Sequence, residues 1–225
     1  MKYIISILLL VVSFNLVAQE EDTVKVKLAV KERKDFFPTG VRVGADLISI
    51  VRTQIEDDFS GYEFNADIDF YRYYLNVEVG RWERAYATDA DTYSNSGNYM
   101  RVGIDVNFLK KDPEKNMFFI GARYGWGKYS ETLSTTIVDP VWSDETITFR
   151  NNDMKAGWGE LTTGLRVRMF SFFWMGYTAR YKFALNTSDG SFESNDVPGY
   201  GKTFKESTWG FNYQLMFRIP VRPKK

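Results

Sequence analysis

Between residues 61 and 70 apolar and polar positions alternate without a break. Tyr62, Phe64, Ala66, Ile68 and Phe70 fall on one face, and Gly61, Glu63, Asn65, Asp67 and Asp69 on the other. A period of two is that of a β-strand with two unlike faces. The same pattern recurs near 40–51, 73–82, 99–109, 117–127, 157–169, 173–183 and 208–219, which predicts eight strands. The connections after the second, fourth and sixth are short: Tyr71-Arg72, 110–116 and 170–172. Those after the third, fifth and seventh are long and polar, at 83–98, 128–156 and 184–207, and the first, 52–60, is intermediate. Short turns at one end and long loops at the other are the signature of a transmembrane β-barrel. The expected fold is all-β: an eight-stranded antiparallel up-and-down barrel over residues 40–220. Residues 135–149 are apolar and β-prone enough to carry their strands beyond the membrane.

Alternation alone does not say which face is inside. A soluble lipocalin-like carrier alternates too, with its apolar face inward. Three features favour a charged interior. Met100, Val102, Ile104, Val106 and Phe108 form an apolar face, as do Trp209, Phe211, Tyr213, Leu215, Phe217 and Ile219. So much aromatic volume from eight strands overfills a small lumen but suits lipid. The polar faces carry Arg rather than Lys: Arg42, Arg101, Arg123, Arg166, Arg168, Arg180 and Arg218, against Lys182 alone. A planar guanidinium is favoured where a cation is paired while buried. Opposite them stand Asp46, Glu63, Asp67, Asp69, Glu78, Asp105 and Glu160, close to charge balance. These residues are expected to form a barrel-interior ion-pair network, since an unpaired buried charge costs several kcal/mol, roughly. The second strand is acidic and the sixth and seventh are basic, so bridges are expected across the lumen. Glycines on the same faces, Gly44, Gly80, Gly121 and Gly125 among them, leave room for long side chains.

Residues 1–19 read as a signal peptide, with Lys2 at the start, an apolar run from Ile4 to Val17 and small or neutral residues at Ala18-Gln19. The run is shorter than the ~20 apolar residues of a membrane span. Residues 20–39 read as a periplasmic lead-in and 221–225 as a basic periplasmic tail. The expected address is the bacterial outer membrane, reached by export and signal cleavage. Formal net charge is zero, which gives no footprint for nucleic acid.

The chain has no His and no Cys. That excludes His-based general-base catalysis, His or thiolate zinc sites, disulfides and lipid attachment to Cys. A carboxylate pair such as Glu63 with Asp67 retains the chemistry of a glycosidase, but a filled lumen offers no cleft. Asp89-Ala90-Asp91-Thr92-Tyr93-Ser94 has oxygen donors at calcium-loop spacing but lacks the fifth ligand and the following Gly. No catalytic residue, cofactor or metal is expected. Tyr86, Tyr93, Tyr129, Trp142, Phe192 and Tyr200 are candidates for an aromatic outer surface.

The segments Arg42-Val43-Gly44-Ala45-Asp46-Leu47, Gly61 to Asp67, Gly121-Ala122-Arg123-Tyr124-Gly125 and Trp209 to Pro220 resemble a family of small, uncharacterised outer-membrane barrels of Bacteroidetes-type bacteria. The resemblance implies fold and location and carries no catalytic residue. The expected role is structural or accessory, exerted through protein contacts: outer-membrane lipid around the barrel, and a larger outer-membrane barrel or periplasmic lipoprotein beside it. The alternatives are a surface binding module working through its loops and a soluble lipocalin-like carrier. Arg in place of Ile104 or Val77 is expected to cost about 2–4 kcal/mol if these positions lie at mid-membrane. Unfolding titrations in detergent check this, and unchanged stability of both variants argues for the opposite orientation.

Overall fold

The computed structural model describes residues 37–109, 116–137, 143–188, 190–201 and 207–221. The expected leader and most of the lead-in and tail lie outside these residues, as does Trp142. The strands are β1 (Gly40–Asp46), β2 (Phe59–Phe70), β3 (Tyr73–Ala87), β4 (Asp91–Asn107), β5 (Asn116–Ile137), β6 (Glu145–Arg168), β7 (Phe173–Thr187) and β8 (Ser207–Pro220). They form a closed barrel in sequence order, all neighbours antiparallel, with β1 closing against β8. The strand count and up-and-down topology follow from the alternation, because each short apolar–polar segment buries its polar face only when curled into a ring.

Inside and outside are opposite to those of a soluble barrel. Along β2 the inward positions include Glu63, Asn65, Asp67 and Asp69, all buried. Phe64, Leu75, Ile104, Ile120, Leu161, Tyr177 and Phe211 stand outward on successive strands, each at least 42 % exposed. Glycine sets the lumen's capacity. A Cβ on Gly80 would strike the Tyr99 ring, and one on Gly125 the Trp158 indole, so both rings lie flat over bare backbone.

The sequence reading departs from the structure at the long-connection end. Residues 40–51 do not form one strand: β1 stops at Asp46 and a helix, α1 (Leu47–Ile55), follows. Ile48, Ile50 and Val51 have β propensity, but Asp46 overrides it as an N-cap. Its carboxylate accepts from Ser49 N (2.9 Å) and Ser49 Oγ (2.6 Å), and its other oxygen from Tyr213 N (2.9 Å). The regions 83–98 and 128–156 are largely strand rather than loop, because β3–β4 and β5–β6 continue as hairpins. Asp91 to Ser94 accordingly lies extended in β4, paired with β3 and β5, and does not curl around a point. The β5–β6 register shifts between Tyr129 and Glu131, where β6 carries a bulge.

Because β1 is so short, strand pairing closes the seam only at the short-turn end. β1 pairs with β8 only over residues 214–220 and with β2 only over 64–68. Above that level α1 fills the seam between β2 and β8. It is fastened to the β2 edge, where Thr53 Oγ1 donates to Gly61 O (2.9 Å) and accepts from Gly61 N (2.8 Å). Asp46→Ala removes the cap and strands the Tyr213 N–H, and should cost about 1–2 kcal/mol. Asp46→Asn should retain most of that stability; urea midpoints of the two refolded variants test the pair.

Candidate functional site

Two groups of side chains were candidates for chemistry: the charged lumen and the aromatic rim. The lumen holds a continuous ladder of ion pairs. At its short-turn end Arg42 Nε meets Asp67 Oδ1 (2.8 Å), with the guanidinium between the Tyr74 and Trp174 rings at 4.6 and 4.9 Å. Asp67 Oδ2 accepts from Arg166 across the lumen (2.8 Å), and Arg166 reaches Asp105 (3.1 Å). Asp105 also pairs with Arg123 (3.0 Å), which bonds Glu78. Glu78 is the hub. Arg101 and Arg180 meet it at 3.0 and 2.9 Å, and Gln214 Nε2 donates to it at 3.2 Å. Arg180 continues to Glu160 (3.0 Å), and Arg101 to Glu63. Five guanidiniums thus interlock with five carboxylates, every member buried.

Other predicted members of this network sit apart from it. Arg218 and Asp69 pair at 3.2 Å at the short-turn rim, where Asp69 also receives Thr39 N and Gly40 N. Arg168 is half-exposed at the same rim and has no carboxylate partner among the described residues. Asp46 is no ion-pair member; it serves the helix cap. Lys182, the register partner of Glu160, makes no salt bridge among the described residues; its ammonium donates to the carbonyls of Gly199 (2.7 Å) and Tyr200 (3.2 Å).

Neutral partners that charge counting missed extend the ladder. Tyr99 Oη donates to Glu63 (2.7 Å), Trp158 Nε1 to Glu160 (2.8 Å), and Asn212 Nδ2 to Glu63 (3.1 Å). Asn212 and Gln214 were visible as the polar positions between Phe211, Tyr213 and Leu215. Tyr99 and Trp158 were not, because an aromatic on an inward position reads equally as bulk.

The rim also differs from expectation. Tyr93, Tyr129 and Tyr200 are buried and present no surface; Tyr86 and Phe192 are at least partly open. The segment 190–201 folds back into the mouth. Val197 and Tyr200 pack on Tyr99, Tyr129, Met154 and Trp158. Arg84 Nη1 pairs with Asp196 Oδ2 (2.8 Å), and Asn95 Nδ2 donates to Asp196 O (2.6 Å). Buried Glu131 accepts from Tyr93 Oη (2.8 Å), Asn151 Nδ2 (2.9 Å) and Ser194 Oγ, a carboxylate held by neutral donors. A tethered segment therefore folds over the mouth, above the ion-pair ladder.

The chain belongs to DUF6048, a domain of unknown function. The family model matches residues 1–224. No curated protein matches in sequence. Among solved structures, the chain is similar to Ail, the attachment invasion locus protein of Yersinia pestis, at 8 % identity and a TM-score of 0.41, covering 81 % of this chain and 98 % of that one. It is also similar to Neisserial surface protein A, at 11 % identity and a TM-score of 0.39, covering 81 % and 94 %. The N-terminal β-barrel domain of Pseudomonas aeruginosa OprF matches at 8 % identity and a TM-score of 0.32, covering 81 % and 100 %.

The hub position sets the energetics of this DUF6048 barrel. Glu78→Gln leaves Arg101, Arg123 and Arg180 short of one negative charge in a closed lumen, and should destabilise by about 3–5 kcal/mol. Removing a positive charge as well, in Glu78→Gln with Arg180→Gln, should recover part of the loss. Equal losses in single and double variants by denaturant titration would contradict a shared network.

Proposed function

We propose that this protein is an integral outer-membrane barrel whose work is done by its surfaces, as a structural or accessory component of the envelope. The observation that carries this reading is the inverted partition of side chains. An outer wall of exposed Leu, Ile, Val and Phe encloses a lumen of buried, paired Arg, Asp and Glu. In water that arrangement exposes the apolar surface and buries the charge, and both cost free energy; in a bilayer the wall is solvated by lipid. Aromatic rings gather at two levels. Tyr62, Tyr124, Trp126 and Trp209 stand towards the long-hairpin end, and Tyr73, Phe108, Phe118, Phe170 and Phe172 at the short turns. Such girdles fit the two membrane interfaces. The packed lumen argues against a water-filled pore and moves the working parts to the wall, the hairpins and the chain's periplasmic ends. There a larger barrel or a periplasmic lipoprotein would dock.

A second reading, a surface binding module, has its own support. A bilayer needs ~9–11 residues of tilted strand, whereas β5 has 22 and β6 has 24. The excess forms a stiff raised hairpin with Ile137, Ile147 and Phe149 exposed, and the tethered segment 190–201 braces it. A stiff projecting hairpin suits a fixed contact surface better than a mobile loop does, because less conformational freedom is lost on binding.

Envelope fractionation with a carbonate wash tests the first reading. The protein should stay with the outer membrane and migrate differently on a gel before and after boiling. Release by carbonate together with identical migration would refute it. Replacing 131–151 by a tight turn should leave this behaviour intact, and a loss of cell-surface or partner binding in that variant would favour the second reading.

A further inference from the structure

On the outer wall the first polar row above the apolar band is basic, and it lies on one side. Along β5 the outward positions Phe118, Ile120, Ala122, Tyr124 and Trp126 span about the ~9–11 residues that cross a bilayer, and Lys128 is the next outward position. The register carries this level across four strands: Arg81 faces Asn98, Asn98 faces Lys128, and Lys128 faces Lys155. On the other strands at this end, the outward Tyr177, Ala179, Tyr181 and Phe183 of β7 and Trp209, Phe211 and Tyr213 of β8 carry no charge. Arg81 is neutralised by Glu83 (2.6 Å). Lys128 and Lys155 are both exposed, and neither makes a salt bridge among the described residues. Asp153, in the bulge of β6, is the carboxylate next to them along that strand, and it pairs with neither. Like charges directly opposite each other on antiparallel strands destabilise the pair. The backbone holds Lys155 in place regardless: its N–H donates to Ser188 Oγ (3.1 Å) and its carbonyl accepts from Ser188 N (2.9 Å). Two lysines anchored side by side without a salt-bridge partner make a site for an anion from outside the chain.

The wall beneath this pair is apolar and hollowed. A groove of about 430 Å³, within the range of small-ligand sites, is lined by Tyr62, Val79, Asn98, Met100, Trp126 and Lys128. Val79 and Met100 are register partners in its middle. Tyr62, 49 % exposed, and Trp126, 39 % exposed, stand on the strands to either side, β2 and β5. Asn98 and Lys128 lie one outward step above Met100 and Trp126. Beside the groove the Tyr124 and Trp126 rings lie 6.0 Å apart. The Tyr124 hydroxyl passes over Gly157, where a Cβ would come within 2.7 Å of it, so aromatic surface continues below Lys155 as well. Polarity therefore changes along the groove as it does along an amphiphile, from methylenes to a charged head.

From this we infer that Lys128 and Lys155 hold the phosphate of an outer-leaflet lipid, with an acyl chain in the groove over Val79 and Met100, between Tyr62 and Trp126. Long hairpins face outward in such barrels, which puts the row in the outer leaflet. A phosphate monoester carries roughly −1.5 to −2 charge at neutral pH, which matches two ammonium groups and removes their mutual repulsion. Lysines at headgroup depth attract anionic lipid, and their stems lie along the apolar wall while the charge stays at the interface. The inference rests on the membrane reading above and gives one face of the wall a specific partner.

The test is native mass spectrometry of the purified protein in non-ionic detergent micelles, titrated with dioleoyl phosphatidic acid. Dioleoylglycerol is the probe without phosphate, and glycerol 3-phosphate the probe without chains. Phosphatidic acid should be retained as a single bound lipid, more tightly than either control. Lys128→Gln combined with Lys155→Gln should weaken it about tenfold, the order expected for the loss of charge-assisted hydrogen bonds. Lys128→Arg combined with Lys155→Arg should keep binding, and Val79→Trp should weaken it by filling the groove. Arg150→Gln, an exposed site on the projecting hairpin, should leave it unchanged. Each variant is first checked for folding by its unboiled gel migration. Undiminished binding by the folded double Gln variant, or equal binding of dioleoylglycerol, overturns the phosphate site. An equal loss in Arg150→Gln overturns it too, since the effect would then be one of overall charge. Glycerol 3-phosphate binding as tightly as phosphatidic acid overturns the acyl groove. Carbonate release of the protein defeats the membrane reading, and it is read separately from these affinities.

Discussion

Glu78 holds three guanidiniums in a space closed to water, and the rest of the barrel is arranged to make that tolerable. A buried charge survives only when its partners are fixed in place and its remaining hydrogen-bonding capacity is met. Here the fixing comes from the strands themselves. Glu78 and Arg101 are register partners on β3 and β4, and Arg42 and Asp67 on β1 and β2. Opposite walls then supply the contacts that no adjacent pair can make, such as Asp67 with Arg166. The polar network replaces the hydrophobic core of a soluble domain, and the apolar residues are released to the outer wall.

That exchange accounts for the covered mouth. A lumen of interlocked charges is stable only while water and ions cannot compete for the pairs. Tyr99 and Trp158 roof the ladder from within the strands, and Val197 and Tyr200 close over them. The anchors of the returning segment, Arg84 with Asp196 and Asn151 with the Phe192 carbonyl, stand on separate hairpins. The segment is thereby braced by the projecting strands as much as it covers the lumen.

Much of the architecture could be read from the chain. Period-two alternation located all eight strands, because each must separate a charged face from an apolar one. Arginine usage and charge balance identified the charged face as the inner one. Strand ends at the long-hairpin end were misjudged. Residues such as Arg81 to Ala87 and Asp91 to Asn98 are polar on both faces and lack the alternation that marks a strand bathed by two different environments. The helix at 47–55 was hidden for a related reason. Its isoleucines favour extended backbone locally, and the cap that overrides them gains from Tyr213, 167 residues away.

The sequence by itself determined the number of strands, their sidedness and the sign and balance of the interior charge, since these depend on the order of side chains along one strand. Only the tertiary structure decided who pairs with whom. Glu160 sits beside Lys182 in register, yet its carboxylate goes to Arg180 and Arg101, and Lys182 is left facing carbonyls at the mouth. Partner choice there depends on which long side chains meet across a curved, glycine-carved lumen, and on where a short first strand gives way to a helix. Neither is a local property of the chain.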